Sequence, residues 1–213
     1  MLVMRRRKLG ILGGTFDPIH VGHLSVAQQV GDRLGLDRVV LVPSGRPPHK
    51  DCNAVAPARD RLEMARLAVR GLARLSVSDI EVRRAGPSYT IDTVRQLRSD
   101  MGEDNDYWFV IGADTVAELP TWHRATELLQ EIRFAVAVRP GCRPDFAPVE
   151  ENLGPEAAMK LRRAVLDIEP CDVSSTEIRR RLAHGEDVGG MIRANVAALI
   201  RRRNLYAGAA PSS

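Results

Sequence analysis

Gly13-Gly14-Thr15-Phe16-Asp17-Pro18-Ile19-His20-Val21-Gly22-His23 stands between two different hydrophobic patterns. Before it runs a short apolar stretch, Leu9-Gly10-Ile11-Leu12, and after it an amphipathic one, Leu24 to Leu34. A strand, a glycine-rich turn and a helix start have this grammar. Gly13 and Gly14 permit close backbone approaches that a Cβ forbids. Pro18 keeps the segment before His20 out of a helix. With the helix beginning near His20, His20 and His23 fall on one face. Gly22 between them leaves the first turn bare, so a ligand can approach its N–H groups. Those groups and the positive end of the helix dipole favour an anion. The imidazoles add donors whose charge can rise as a phosphate comes near. The stretch reads as a nucleotide phosphate site. Three alternatives stay beside it: two surface histidines, a shared metal, and Asp17 as a simple turn or cap. No third ligand at the usual spacing accompanies the histidines, which speaks against the metal.

At 213 residues, with 44% hydrophobic and 27% charged residues, the chain has the composition of a soluble globular protein. Its length is within reach of one α/β domain, expected over 1–213 with flexible tails at 1–7 and 207–213. A formal charge of +4 suits small polyanionic substrates. Nucleic-acid binding would want clustered basic residues with interleaved aromatics, and aromatic residues are only 4%. The three scattered cysteines, Cys52, Cys142 and Cys171, form no CxxC pair and suit a reducing cytoplasm. No apolar run approaches a membrane span, no secretion signal is evident, and there is no internal repeat. The sequence leaves the oligomeric state, a homo-oligomer included, open.

Outward from the first motif, strands and helices alternate. Strands are expected at Lys8–Leu12, Arg38–Pro43, Leu75–Val82, Tyr107–Ile111, Phe134–Val138 and Val165–Ile168. Helices are expected at Val21–Leu34, Ala56–Val69, Thr90–Arg98 with Thr90 as cap, from Ser174-Ser175-Thr176, and over Val188–Asn204. The stripe Leu24, Ala27, Val30 and Leu34 marks the first of these, and Leu62, Ala65, Leu67 and Val69 the second. Such alternation implies a Rossmann-like, doubly wound parallel sheet with ligands beyond the carboxyl ends of its strands.

The remaining motifs fall at those ends. Pro43-Ser44-Gly45-Arg46-Pro47-Pro48-His49-Lys50 is either a polar connection or an arm bringing Lys50, with Arg46, onto phosphates. Gly86 to Thr93 caps a helix whose first N–H groups suit an anion. In Ile111-Gly112-Ala113-Asp114, the acid ending a strand can accept ribose hydroxyls. Trp122, in Leu119-Pro120-Thr121-Trp122-His123, is either core packing or a stacking plate for a flat ring. Val173-Ser174-Ser175-Thr176-Glu177-Ile178-Arg179 reads as an N-cap, and also as an anion cradle with Arg179 as a fixed fork one turn in.

The first motif resembles the HxGH-type signature of the nucleotidylyltransferase superfamily, and Val173 to Arg179 resembles that superfamily's second signature, with Val173 where isoleucine is commoner. Gly-Ala-Asp followed by Leu-Pro-x-Trp and Val138-Arg139-Pro140-Gly141 resembles the bacterial nicotinate mononucleotide adenylyltransferases. The match runs from Leu9 to Tyr206. It implies transfer of the adenylyl group of ATP to nicotinate mononucleotide, with Mg²⁺ carried on the ATP phosphates and few protein ligands to it. On this resemblance His20, His23, Lys50 and Arg179 are catalytic. Gly13, Gly14, Thr15, Phe16, Gly112, Asp114, Ser174, Ser175 and Thr176 bind ATP, and Thr90, Trp122 and Arg139 hold the nicotinate nucleotide. No covalent nucleophile is set up, and the resemblance implies direct in-line transfer by positioning and charge neutralisation. Nicotinamide mononucleotide or phosphopantetheine as acceptor, a redox Rossmann module and a nucleic-acid binder are the rival readings. The redox module would want G-x-G-x-x-G and an acid ending the second strand, where Pro43-Ser44 stands instead.

Overall fold

Leu9 and Ile11 enter one hydrophobic core and Leu12 enters another, so the first strand is buried on both faces. Only a strand inside a sheet covered on both sides allows this. The computed structural model describes residues 5–46 and 56–207. Its strands are β1 (Lys8–Gly14), β2 (Arg38–Pro43), β3 (Leu75–Val77), β4 (Asp106–Gly112), β5 (Arg133–Val138) and β6 (Val165–Asp167). They pair in parallel in the order β3-β2-β1-β4-β5-β6. The strand order therefore reverses between β1 and β4, which is where such sheets open a crevice.

One face is covered by α1 (Val21–Leu34), α2 (Ala58–Ala68), α8 (Ser175–Ala183) and α9 (Ala194–Arg202). The other is covered by α3 (Ile80–Arg83), α4 (Thr90–Met101), a 3₁₀ helix (Ala113–Thr121), α5 (Ala125–Glu131), α6 (Ala147–Leu153) and α7 (Pro155–Arg162). Alternation along the strands feeds both layers: Val39 and Leu41 pack under α1, while Val40 and Val42 join the core beneath α4. Among the described residues, no helix is long and apolar enough to cross a membrane.

Several expectations need correction. The strand placed at Leu75–Val82 stops at Val77, because Ser78 and Asp79 turn the chain and Ile80 drops into the core as part of α3. The last helix begins at Ala194, not Val188: Gly190 sits at φ +76° and Asp187 caps the turn through the Gly189 N–H. Tyr89, not Thr90, is the cap residue of α4, and Thr90 is its first helical residue. The buried face of α2 is Arg61, Leu62, Met64, Ala65 and Ala68, so Leu67 and Val69 lie at its margin. The 3₁₀ segment, α5, α6 and α7 were not anticipated. Ahead of β1, Arg5 pairs with Asp37, the Arg7 N–H donates to Asn105, and the Arg7 carbonyl accepts from the Asp106 N–H.

Candidate active site

A cavity of about 820 Å³ opens at the carboxyl ends of β1 and β4. Of the residues singled out from sequence, Gly13, Gly14, Thr15, His20, His23, Gly112, Asp114, Ser174, Ser175, Thr90, Trp122 and Arg139 line it. Phe16, Thr176 and Arg179 do not line it, and Lys50 lies outside the described residues.

The histidine pair is built by the helix start. His20 is the N-cap of α1, in an extended conformation, and His23 sits one turn in. The His20 N–H donates to His23 Nδ1 at 3.3 Å, and the two rings stack at 3.7 Å between centroids. Because Nδ1 accepts that bond, a neutral His23 ring carries its proton on Nε2 and is a donor there. His20 is 7% exposed, and its Nδ1 is buried with no partner among the described residues. Burial pushes its pKa down to about 4, so it is neutral at pH 7. Without a phosphate beside it, the His20 imidazole is therefore uncharged. Gly22 is small for a packing reason as well: a Cβ there would sit 3.0 Å from His20 Nδ1 and 3.5 Å from the Val173 carbonyl. Phe16 holds φ +51°, a costly conformation for an aromatic residue, and braces His23 edge-on at 5.0 Å.

The second signature docks directly on the first. Ser174 caps α8 by accepting the Glu177 N–H. The Ser175 hydroxyl donates to the Pro18 carbonyl at 3.0 Å, and Thr176 Oγ1 accepts from Arg179 at 3.2 Å. Ser175 thus spends its hydroxyl hydrogen on protein, whereas Ser174 and Thr176 accept in these bonds and keep an O–H to donate beside the backbone N–H groups and dipole of the helix start. Arg179 donates to the Asp17 carbonyl at 2.6 Å, which ties α8 to the glycine-rich turn.

At the other end, Trp122 is half-buried and braced edge-on by Phe109 at 5.9 Å. Thr90 opens α4 beside it on the cavity wall. The Asp114 carboxylate folds back over Gly112, where a Cβ would come within 2.4 Å of its Oδ1. Arg139 is exposed at the rim.

The family model described as Cytidylyltransferase-like matches residues 11–181. Relatives from Dehalococcoides mccartyi (40% identical, covering 93% of this chain and 97% of the relative) and Exiguobacterium sibiricum (43%, covering 94% and 99%) each bear the name "Probable nicotinate-nucleotide adenylyltransferase". The chain belongs to the nicotinate-nucleotide adenylyltransferase family. A solved structure of Plasmodium falciparum nicotinic acid mononucleotide adenylyltransferase complexed with NaAD shares the fold of this adenylyltransferase-family chain. It aligns at TM-score 0.74 and 19% identity, over 94% of this chain and 98% of that one.

Reading the sequence missed several residues that shape this adenylyltransferase-family site. Arg61 is 2% exposed, and its guanidinium donates to the carbonyls of Ala56, Thr15 and Gly45. A lone arginine within the apolar stripe of α2 was the available signal. Glu81 is a buried carboxylate on the cavity wall, accepting from Thr93 at 2.7 Å; desolvation raises its pKa. Gln29 on α1 pairs with the Glu169 backbone, accepting its N–H at 2.6 Å and donating to its carbonyl at 3.3 Å. That pair fixes the strand-end segment whose Ile168, Glu169 and Cys171 form a cavity wall. Nothing local in sequence could pair positions 140 residues apart.

Proposed function

We propose that the protein transfers the adenylyl group of MgATP to nicotinate mononucleotide, releasing pyrophosphate and forming nicotinate adenine dinucleotide. One observation carries this reading: a single cavity at the switch point of the sheet joins two phosphate-type helix starts to an aromatic plate. The names of the relatives support the choice of acceptor.

In this reading the ATP phosphates lie between the starts of α1 and α8. The 5′-phosphate oxygen of nicotinate mononucleotide attacks the α-phosphorus; the new P–O bond forms as the bond to the bridging pyrophosphate oxygen breaks. His23 donates from Nε2 to a phosphate oxygen as charge builds on the pentacoordinate centre. Neutral His20 positions His23 through their stacking and the N–H bond to Nδ1. Arg179 and the N–H groups of Ser175 and Thr176 receive the leaving pyrophosphate, and Lys50 joins them. Gly13 and Gly14 let the nucleotide approach the backbone, Thr15 and Phe16 shape that turn, and Gly112 and Asp114 face the ribose. Ser174 holds the start of α8. Magnesium would enter as part of the MgATP substrate and would offset phosphate charge; among the described residues no cluster of His, Cys, Asp or Glu is arranged to hold it. The Gln29–Glu169 pair presents backbone at the adenine end. Trp122 stacks on the pyridine ring, Thr90 offers N–H groups to its carboxylate, and Arg139 meets the acceptor phosphate at the rim.

The test is pyrophosphate release from MgATP with nicotinate mononucleotide, nicotinamide mononucleotide or phosphopantetheine as acceptor. Strong preference for the nicotinate form is expected. Preference for another acceptor would refute the pocket assignment, and no release with any of them would refute catalysis.

A further inference from the structure

Behind the glycine-rich turn lies a charged group that the transfer reaction does not use. Asp17 is 3% exposed, and its Oδ1 accepts two bonds: from the Ala56 N–H at 3.0 Å and from the Tyr206 hydroxyl at 2.5 Å. Its Oδ2 faces Arg179 at 3.8 Å, beyond hydrogen-bond reach. Among the described residues, the other cation nearby is Arg61, which donates to three carbonyls and acts on Asp17 through its field. Tyr206 comes from the far end of the chain. After α9, Asn204 and Tyr206 both take positive φ, +51° and +62°, and the Leu205 N–H returns to the Ile200 carbonyl. This turn aims the phenol inward at Asp17. Burial and the carboxylate beside it both raise the phenol's pKa, so it stays a donor.

We propose that Tyr206 is a positioning residue for the phosphate site: its hydroxyl holds the Asp17 carboxylate inward and so leaves the Arg179 guanidinium available to nucleotide phosphates. The proposal rests on Arg179 being a phosphate ligand. Asp17 and a nucleotide phosphate compete for one guanidinium. A buried carboxylate that loses a donor must regain it, because an under-satisfied charge in the interior is costly. Among the described residues, the donor facing the carboxylate without bonding it is the Arg179 fork, which already touches the Asp17 carbonyl. Without the hydroxyl, Arg179 closes on Oδ2 and its geometry toward an anion is lost.

The experiment is calorimetric titration of inorganic pyrophosphate with Mg²⁺ into the full chain, for wild type, Tyr206→Phe, Arg179→Met, the Tyr206→Phe/Arg179→Met pair and Asp17→Asn/Tyr206→Phe, with thermal melts of each. Tyr206→Phe should weaken pyrophosphate binding about tenfold. In the Arg179→Met background the same change should alter binding less than twofold, since the residue it acts through is gone. Asp17→Asn should restore binding to Tyr206→Phe, because a neutral amide no longer draws Arg179. Melting temperatures would move in both backgrounds if the tyrosine mattered only for packing, whereas the non-additivity in binding would not arise. Equal weakening by Tyr206→Phe with and without Arg179 overturns the proposal. So does unchanged binding in the single variant, or no rescue by Asp17→Asn. Should Tyr206→Phe fail to fold alone, the rescued pair decides: wild-type-like binding there supports the proposal, and weak binding overturns it. Wild-type protein that binds no pyrophosphate would instead refute the phosphate reading of the whole site.

Discussion

Replacing His23 separates chemistry from architecture, because its two ring nitrogens do different work. Nδ1 accepts the His20 N–H at 3.3 Å, and the ring stacks on His20 and meets the edge of Phe16. Nε2–H is the donor assigned to the transition state. His23→Asn keeps an acceptor near the Nδ1 position and removes the distal donor; His23→Gln does roughly the reverse; His23→Ala removes both. Losing one donor aimed at developing charge costs about 10²–10³ in kcat, or about 3 kcal/mol in barrier. Losing the neutral hydrogen bond and ring contacts costs about 1–2 kcal/mol of stability, roughly 4 °C in a chain of this size. His23→Asn should therefore lose at least about 100-fold in kcat while its melting temperature falls less than that of His23→Ala, since it keeps the hydrogen bond and loses only the ring contacts. His23→Ala should lose both, and His23→Gln should retain more activity than His23→Asn. The assay is single-turnover transfer at saturating MgATP and nicotinate mononucleotide, paired with thermal melts. A folded His23→Asn enzyme within about fivefold of wild type would refute the role of Nε2.

Trp122→Ala should raise KM for nicotinate mononucleotide about tenfold, of the order of a lost stacking contact, and leave KM for ATP within twofold; steady-state kinetics with each substrate varied checks this. Gln29→Ala releases the Glu169 backbone and should do the opposite, raising KM for ATP several-fold with little change for the acceptor. His20 titrates near 6.5 unfolded and about 4 folded, so between those values the unfolded chain binds the extra proton. Stability from this group is complete above pH 6.5 and falls on acidification toward pH 4. In urea unfolding, His20→Asn should lose about 2 kcal/mol less than wild type between pH 7 and 4.5; parallel losses would refute the burial argument. Gly45→Ala places a Cβ 2.1 Å from the Glu81 carbonyl oxygen, and the backbone shift this forces should lower the melting temperature by several degrees.

How much of this was legible beforehand divides by range. The run Leu9 to Leu12, the glycine turn and the stripe of α1 report local backbone preferences and burial period, so β1 and α1 emerge with nearly their observed ends. The parallel direction of the strands follows from strand–helix alternation, and the cavity's place at their carboxyl ends follows from that direction. Leu75 to Val82 misled because four of its positions, Leu75, Val77, Ile80 and Val82, are apolar in either state, and only the packing of Ile80 against α4 decides that the strand ends early. Val188 to Asn204 misled because helical periodicity outweighed Gly189-Gly190 on paper, while in the fold Arg193 is held by the carbonyls of Ala68 and Arg70.

By itself, then, the sequence determined the residue types and spacings that make a phosphate-binding helix start, a second one far downstream, and an aromatic between them. Those are properties of contiguous segments, set by backbone preference and side-chain chemistry within a few residues. The tertiary structure alone decided the electrical state of His20, which depends on what surrounds it, and the bonds that tie Ser175 to Pro18 and Thr176 to Arg179. It alone brought Tyr206 to Asp17, Arg61 to three loops, and Gln29 to Glu169. Desolvation and long-range hydrogen bonds depend on three-dimensional neighbours, and no local pattern in the chain encodes them.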